Sequence, residues 1–322
     1  MHIYEARRHD EPINPKNLPG IAVDSSNLDD SAIPDGHISL KPGVSSPRYN
    51  HSTPQNQVEQ SMITQPSTIF SPFHRILIIG FASKPNEVDK GEIRQRIWRL
   101  LEERGVARFP KPIWGRIPNF QGAERAALRL MELREVRAAR VVKVNPDSPQ
   151  RPVRRLLLEE GKGVLMPTPR LRGGFLLLDP MRIPRHLYDK ASTIRGAFNL
   201  GKSIGMDELP EIDLIICGSV AVSRDGRRVG KGGGYSELEY GILREVDAID
   251  EETPIATTVH DLQIVDEIPL DPWDFTVDII ATPSRLLRVA GQRQRPRGIL
   301  WEYVSEEMME EMPILRELRE GR

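Results

Sequence analysis

Residues 226–240 read GRRVGKGGGYSELEY, with Gly230, Gly232, Gly233 and Gly234 crowded around Lys231. Glycine is costly to order, so such a cluster needs a reason. One reason is a loop whose bare N–H groups close on phosphate oxygens. The other is a flexible surface turn carrying solvated charges. In the first reading the N–H groups of Gly232, Gly233 and Gly234 surround the phosphate while Arg228 and Lys231 neutralise it. Glu237, one helical turn further on, would hold Mg²⁺ through its carboxylate and waters. Spacing alone does not separate the two readings.

A second stretch, GAFNLGKS at 196–203, matches the phosphate-loop pattern G-x-x-x-x-G-K-[ST] letter for letter. That motif needs a strand before it and a helix after it, because the helix N-terminus completes the cradle. LYDKASTIR precedes it and IGMDELPEI follows, with Gly205 and Pro210 interrupting. The context fails, and 180–210 reads as loop.

Other reactive residue types are less informative. Cys217 lies in the apolar run DLIICGSVAV and reads as a buried strand residue. His260 and Asp261 fall at a strand end, where α/β sheets collect ligands, but a single His-Asp pair is more often structural. The seven histidines are scattered and give no His/Cys metal spacing. Trp98 and Trp114 read as packing residues, and SEEMMEE as a solvated helix face or a partner surface.

The elements that must position the glycine loop are legible around it. Residues 1–82 are rich in Pro, Ser, Asn and Asp without sustained periodicity, and read as a disordered extension. HRILIIGF at 74–81 is a possible strand within them. In NEVDKGEIRQRIWRLLEERG the residues Ile93, Ile97, Leu100 and Leu101 recur at helical spacing. A proline-punctuated connector leads to a second helix, GAERAALRLMELREV. ARVVKV, GVLMPTP and FLLLDP are short strands, with the helix SPQRPVRRLLLEEGK after the first. EIDLIICGSVAVS reads as one long strand covered on both faces. SRDG is a hairpin-like turn before the glycine loop, and YSELEYGILREVDAI is the helix after it. PIATTVH and FTVDIIATPS are further strands, and 289–322 gives a strand at GILWEYV and an acidic helix from about Glu306. Strands alternating with helices over 83–288 predict an α/β fold, a three-layer sandwich with a largely parallel sheet.

The chain has 322 residues and a formal net charge of −1, so the whole molecule does not attract nucleic acid or anionic membrane. One cysteine excludes an intramolecular disulfide and fits a cytoplasmic protein. No segment is long and apolar enough to span a bilayer.

The wider stretch LPEIDLIICGSVAVSRDGRRVGKGGGYSELEYGIL resembles the 5-formyltetrahydrofolate cyclo-ligase family, which carries D-x-x-G-x-R-[LI]-G-x-G-x-G-[YF]-Y-D after an apolar strand. Asp225, Gly226, Arg228, Val229, Gly230, Gly232, Gly234 and Tyr235 carry the resemblance to that pattern. HDLQIVDEIPLDPWDFTVDIIATP resembles the family's closing segment, with Gln263, Asp274 and Asp278 in place, and KGEIR resembles its opening K-x-x-x-R, giving Lys90 and Arg94. KPIWGRIPNFQGAERAA, PTPRLRGG and GKGGGYSELEYG are similar to a divergent branch, the methenyltetrahydrofolate synthetase domain-containing proteins. The resemblance implies a NagB/RpiA/CoA-transferase-like fold. It also implies an ATP- and Mg²⁺-dependent cyclisation of 5-formyltetrahydrofolate to 5,10-methenyltetrahydrofolate. Lys90, Arg94, Arg228 and Lys231 would then be catalytic. The same four with Gly230, Gly232, Gly233, Gly234 and Tyr235 would hold ATP, except that Lys90 and Arg94 also read as a solvated helix face. Glu237 and Asp274 would hold the metal.

Departures from the family pattern are specific. Glu237 stands where the family has aspartate, Ser236 replaces the second aromatic, and Trp273 replaces a histidine. Lys143 stands where the family's glutamate recognises the pterin, and GMDELP replaces G-I-x-E-P. Two alternatives stay open: a nucleotide- or RNA-binding protein using RPVRRLLLEE, PRLRGG, RQRPRG and the basic loop, or an ATP-dependent ligase acting on another small formyl or carboxylate substrate.

Overall fold

The computed structural model describes residues 89–321. The expected extension over 1–82 and the strand over 74–81 lie outside them. Helix α1 (Lys90–Glu103) starts at Asp89, whose carboxylate accepts from Gly91 N at 2.9 Å and Glu92 N at 3.3 Å. It buries Ile93, Ile97, Trp98 and Leu101. Helices α2 (Ala123–Met131) and α3 (Arg134–Ala138) divide the second expected helix at Glu132 and Leu133. Strand β1 (Val141–Val144), α4 (Arg151–Glu159), β2 (Gly163–Pro167) and β3 (Phe175–Leu178) follow. Then come α5 (Tyr188–Ala191), α6 (Ile194–Leu200), β4 (Lys202–Ile204) and β5 (Leu214–Gly218). The chain continues through β6 (Ala221–Ser223), β7 (Arg228–Val229), α7 (Tyr235–Glu245), β8 (Ile255–Thr258) and β9 (Ile264–Val265). It ends with β10 (Ile279–Ala281), β11 (Leu286–Arg288), α8 (Glu306–Glu311) and α9 (Pro313–Glu320).

Eight strands form one sheet in the order β11-β10-β8-β5-β1-β2-β3-β4. The five from β10 to β2 are mutually parallel, and the edges are antiparallel. Strand β5 is central, with Ile216 registered against Val144 on one side and Ala256 on the other. Its side chains alternate between two cores, as the two-residue period of a strand requires. Leu214 and Ile216 pack with Val153, Leu157 and Leu158 of α4, while Ile215 and Cys217 pack with Ile242, Leu243, Met312 and Leu315. The result is the expected three layers, helix on sheet on helix. A small sheet, β7-β6-β9, packs beside α1.

Several expectations are corrected. EIDLIICGSVAVS is two strands in two sheets, broken at Gly218. Gly218 is the last residue of β5, where a Cβ would lie 2.9 Å from Ile117 Cγ2, and the chain joins the small sheet from Ala221. The expected loop at 180–210 contains α5, α6 and β4, with Thr193 capping α6 by accepting from Gly196 N at 2.9 Å. GAFNLGKS therefore runs from helix into strand, the reverse of a phosphate loop. GILWEYV forms a single 3₁₀ turn at Trp301–Tyr303 instead of a strand. Its Tyr303 ring packs on Trp273, with centroids 4.6 Å apart. Beyond it, α8 and α9 insert Met309, Met312, Ile314 and Leu315 into the core under α7.

Candidate functional site

The chain lays β2 on one side of β1 and later places β5, β8 and β10 on the other. The crevice past the carboxyl ends of β1 and β5 is thus the topological switch point, where open α/β sheets bind ligands. Asn145 and Asp147 follow β1, and Gly218 ends β5. The glycine loop lies against this crevice: Asn145 Nδ2 donates to Ser236 Oγ at 3.2 Å, and Lys231 Nζ is 3.9 Å from Asp147 Oδ1.

The loop takes backbone conformations that favour glycine. Gly232 has φ +108° and Gly234 has φ +68°. Gly234 is the N-cap of α7, and no side chain caps that helix. The first-turn N–H groups of α7 are free of side-chain caps, and the helix dipole favours an anion beside them. Lys231, Gly232 and Gly233 are exposed. Arg94 comes to the loop from α1, its Nε donating to Gly230 O at 2.8 Å. Its guanidinium faces Gly232, where a Cβ would lie 3.4 Å from Arg94 Cζ. Burial pulls the Arg94 guanidinium below its ordinary value, against Asp89, Glu237 and Asp274.

The other expected residues converge too, but onto one another. Lys90 Nζ donates to Asp271 Oδ2 at 2.6 Å and to Asp274 Oδ2 at 2.5 Å. Burial pushes the Asp274 carboxyl up, with Lys90 pulling the other way. Arg228 does not reach the surface. Its side chain is 1% exposed, it donates to Glu237 Oε1 and to Gly218 O, and its guanidinium lies 4.5 Å over the Phe275 ring. Burial opposes the Arg228 charge, yet Glu237 and its other anionic neighbours hold it above the ordinary arginine value. Arg228 and Glu237, expected on a phosphate and a metal, are thus partners, because a buried guanidinium requires an anion. The Tyr235 hydroxyl also turns away from the loop and donates to Glu311 Oε2 of α8 at 2.5 Å. Burial, with Glu311 adding to it, pushes that phenol up to about 12.

Among the described residues, no three His, Cys, Asp or Glu side chains converge on a metal position. Glu237 and Asp274 do sense each other electrostatically. Each commits one oxygen to a cation, leaving Glu237 Oε2 and Asp274 Oδ1. Two carboxylates suit Mg²⁺, which keeps waters and takes its remaining ligands from phosphates.

Some site-forming residues escape sequence reasoning. Glu239 is buried and accepts from Lys143 Nζ at 2.5 Å, and Lys143 also donates to Asn145 Oδ1 at 2.9 Å. Burial raises the Glu239 carboxyl, against Lys143. Lys143 is visible in the sequence as a departure, but its partner is 96 residues away. The only local signal was a glutamate one turn past Tyr235. Asp147 and Gln150 gave none beyond their place after a strand.

The remaining candidates are structural ties. His260 Nδ1 accepts from Leu262 N at 3.2 Å, and Asp261 accepts from Thr282 and Ser284. Gln263 donates to Ser219 O and Val220 O. Asp278 holds Ile255 N, Arg293 and Arg295, and with Arg288 and Arg293 it lines a cavity of about 150 Å³ away from the loop. Burial pushes the Cys217 thiol up and keeps it protonated. Arginines of the basic stretches are paired as well: Arg151 with Asp189, Arg155 with Glu159, Arg170 with Glu311 and Arg293 with Glu252.

A three-layer α/β protein with an uncapped glycine loop and a cluster of cations and carboxylates at its switch point is the class that these features define. The chain belongs to the 5-formyltetrahydrofolate cyclo-ligase family, whose profile matches residues 86–283. It is 44% identical over 237 residues to the methenyltetrahydrofolate synthase domain-containing protein of Mus musculus, covering 72% of this chain and 64% of that one. The Homo sapiens protein of the same name is 42% identical over 236 residues, covering 72% and 62%. This chain therefore spans less than two thirds of the length of these relatives. The solved 5,10-methenyltetrahydrofolate synthetase of Aquifex aeolicus aligns with a TM-score of 0.40 at 20% identity, covering 63% of this chain and 94% of that one. No helix among the described residues is long and apolar enough to cross a membrane.

Proposed function

We propose that the chain is an ATP- and Mg²⁺-dependent ligase that closes 5-formyltetrahydrofolate to 5,10-methenyltetrahydrofolate with release of ADP and phosphate. The carrying observation is the glycine loop, with an uncapped helix start, exposed Lys231 and inserted Arg94, at the β1/β5 switch point. When bound, ATP supplies the γ-phosphoryl group that makes the formyl oxygen a leaving group, and Mg²⁺ neutralises phosphate charge. Folate N10 then attacks the formyl carbon and loses its proton, and the carbon–oxygen bond breaks to release phosphate.

The protein's share of this chemistry is position and charge. The N–H groups of Gly232, Gly233 and Gly234 cradle the phosphates, and Lys231 and Arg94 neutralise them. Glu237 and Asp274 would hold the metal, which would neutralise phosphate charge. Arg228 fixes Glu237 in place, and Lys90 does the same for Asp274. One observation favours a second reading. Lys143 stands where the family resemblance puts a pterin-binding glutamate, which suits an ATP-using ligase acting on a different small formyl or carboxylate substrate.

Turnover of purified protein with Mg-ATP and 5-formyltetrahydrofolate, followed by the absorbance of methenyltetrahydrofolate, tests the proposal. Product should form, and Lys231→Ala should slow it about tenfold or more, as expected for loss of a charge at a phosphate. Tight Mg-ATP binding without methenyl product would reject the folate reaction in favour of the second reading.

A further inference from the structure

Gly234 is the N-cap of α7, so the seat of that helix sets where the glycine loop ends. Two residues of α7 and two of β1 meet beneath this end. Ser236 and Glu239 are three apart and share one face of the helix. Lys143 and Asn145 are two apart and share one face of the strand. Val142 and Val144 alternate with them and join the opposite core, with Val153 and Leu157 of α4. Lys143 Nζ donates to Glu239 Oε2 at 2.5 Å and to Asn145 Oδ1 at 2.9 Å. Asn145 Nδ2 lies 3.2 Å from Ser236 Oγ and 3.3 Å from Glu239 Oε2. The Lys143 and Glu239 side chains are only 3% and 6% exposed, so water does not screen their attraction.

Stability alone does not account for this pair. A buried ion pair gains little over apolar residues of the same volume, because desolvation offsets its attraction. What it supplies is direction. Further along α7, Ile242 and Leu243 share a core with Ile215 and Cys217 of β5. Such apolar contacts are non-directional and let a helix slide or turn. Short hydrogen bonds with fixed angles do not. Glu237 ties the start of α7 to β7, and Tyr235 ties it to α8. Glu239 ties it to the main sheet, whose switch point carries the site. We propose that Lys143 and Glu239 are positioning residues that fix the register of α7 on β1, and through it the N–H groups of the glycine loop. The inference rests on the ATP-dependent reading of that loop. The Lys143 ammonium is committed inside the protein, so it acts through α7 and not on a ligand.

A single substitution would strand one buried charge and unsettle the fold. The test therefore replaces both residues together, as Lys143→Met with Glu239→Leu, and compares this variant with the native chain. Urea midpoints, Mg-ATP affinity by calorimetry and the rate of proteolytic cleavage at Lys231 are measured on both. The midpoint should stay at or above the native value. Mg-ATP affinity should fall about tenfold, as when a charge-assisted hydrogen bond is lost, and cleavage at Lys231 should speed up. Native affinity and a native cleavage rate in the variant would overturn the assignment while leaving the ATP reading intact. A lowered urea midpoint would make the pair a stability element and overturn it as well. If the native chain binds no Mg-ATP, the ATP reading fails and the positioning of its ligand site fails with it.

Discussion

Arg94 Nε and the carbonyl oxygen of Gly230 are 2.8 Å apart, joining α1 to the glycine loop across 136 residues of sequence. The contact fixes one end of a loop whose glycines supply no side chains to hold it. A hydrogen bond from a charged donor is worth about 1.5–3 kcal/mol. Arg94→Ala should therefore weaken Mg-ATP binding about tenfold or more and speed proteolytic cleavage at Lys231. Arg94→Lys should not restore either property, because an ammonium lacks the planar fork that holds the carbonyl and faces Gly232 together. Calorimetry and timed proteolysis check this. Native values for both in Arg94→Ala would remove the loop-anchoring role.

The short-range features of this site were legible in the sequence. The Ile93, Ile97 and Leu101 spacing gave α1, and the glycine cluster between a strand and a helix gave the loop. What escaped was pairing at a distance. Lys90 meets Asp271 and Asp274 across more than 180 residues, and Lys143 meets Glu239 across 96. Each reads locally as an ordinary charge. Arg228 and Glu237 are only nine apart, yet sequence does not reveal that residue 228 is buried and pairs with residue 237. The split of EIDLIICGSVAVS was hidden for another reason: both sheets bury their strands, so the apolar run continues through the turn at Gly218.

The buried Arg228–Glu237 pair should dominate stability near the loop. Removing one partner of a buried ion pair leaves the other uncompensated, at about 3–5 kcal/mol. Arg228→Ala should lose about that much, including its packing over Phe275. Replacing both residues together, as Arg228→Met with Glu237→Leu, should recover most of the loss. Urea unfolding of the two single variants and the double variant gives the cycle. A loss below about 1 kcal/mol for Arg228→Ala would place the pair among weak surface bridges.

The bidentate contact of Glu135 with Arg288 makes stability depend on pH in acid. Arg288 Nη1 and Nη2 donate to Glu135 Oε1 at 2.7 Å and Oε2 at 3.1 Å, tying α3 to the edge strand β11. These hydrogen bonds, opposed by partial burial, hold the Glu135 carboxyl down from 4.5 to about 2. Between those values the unfolded chain binds the proton and the folded chain does not, so stability rises with pH. The contribution is complete above 4.5 and fades as pH falls through about 2. Arg288 is 53% exposed, so solvent screening limits it to about 1 kcal/mol. Urea midpoints at pH 6 and pH 3 should show a smaller drop for Glu135→Gln than for the native chain, by up to that amount. An equal drop in the two proteins would assign the acid sensitivity to other carboxylates.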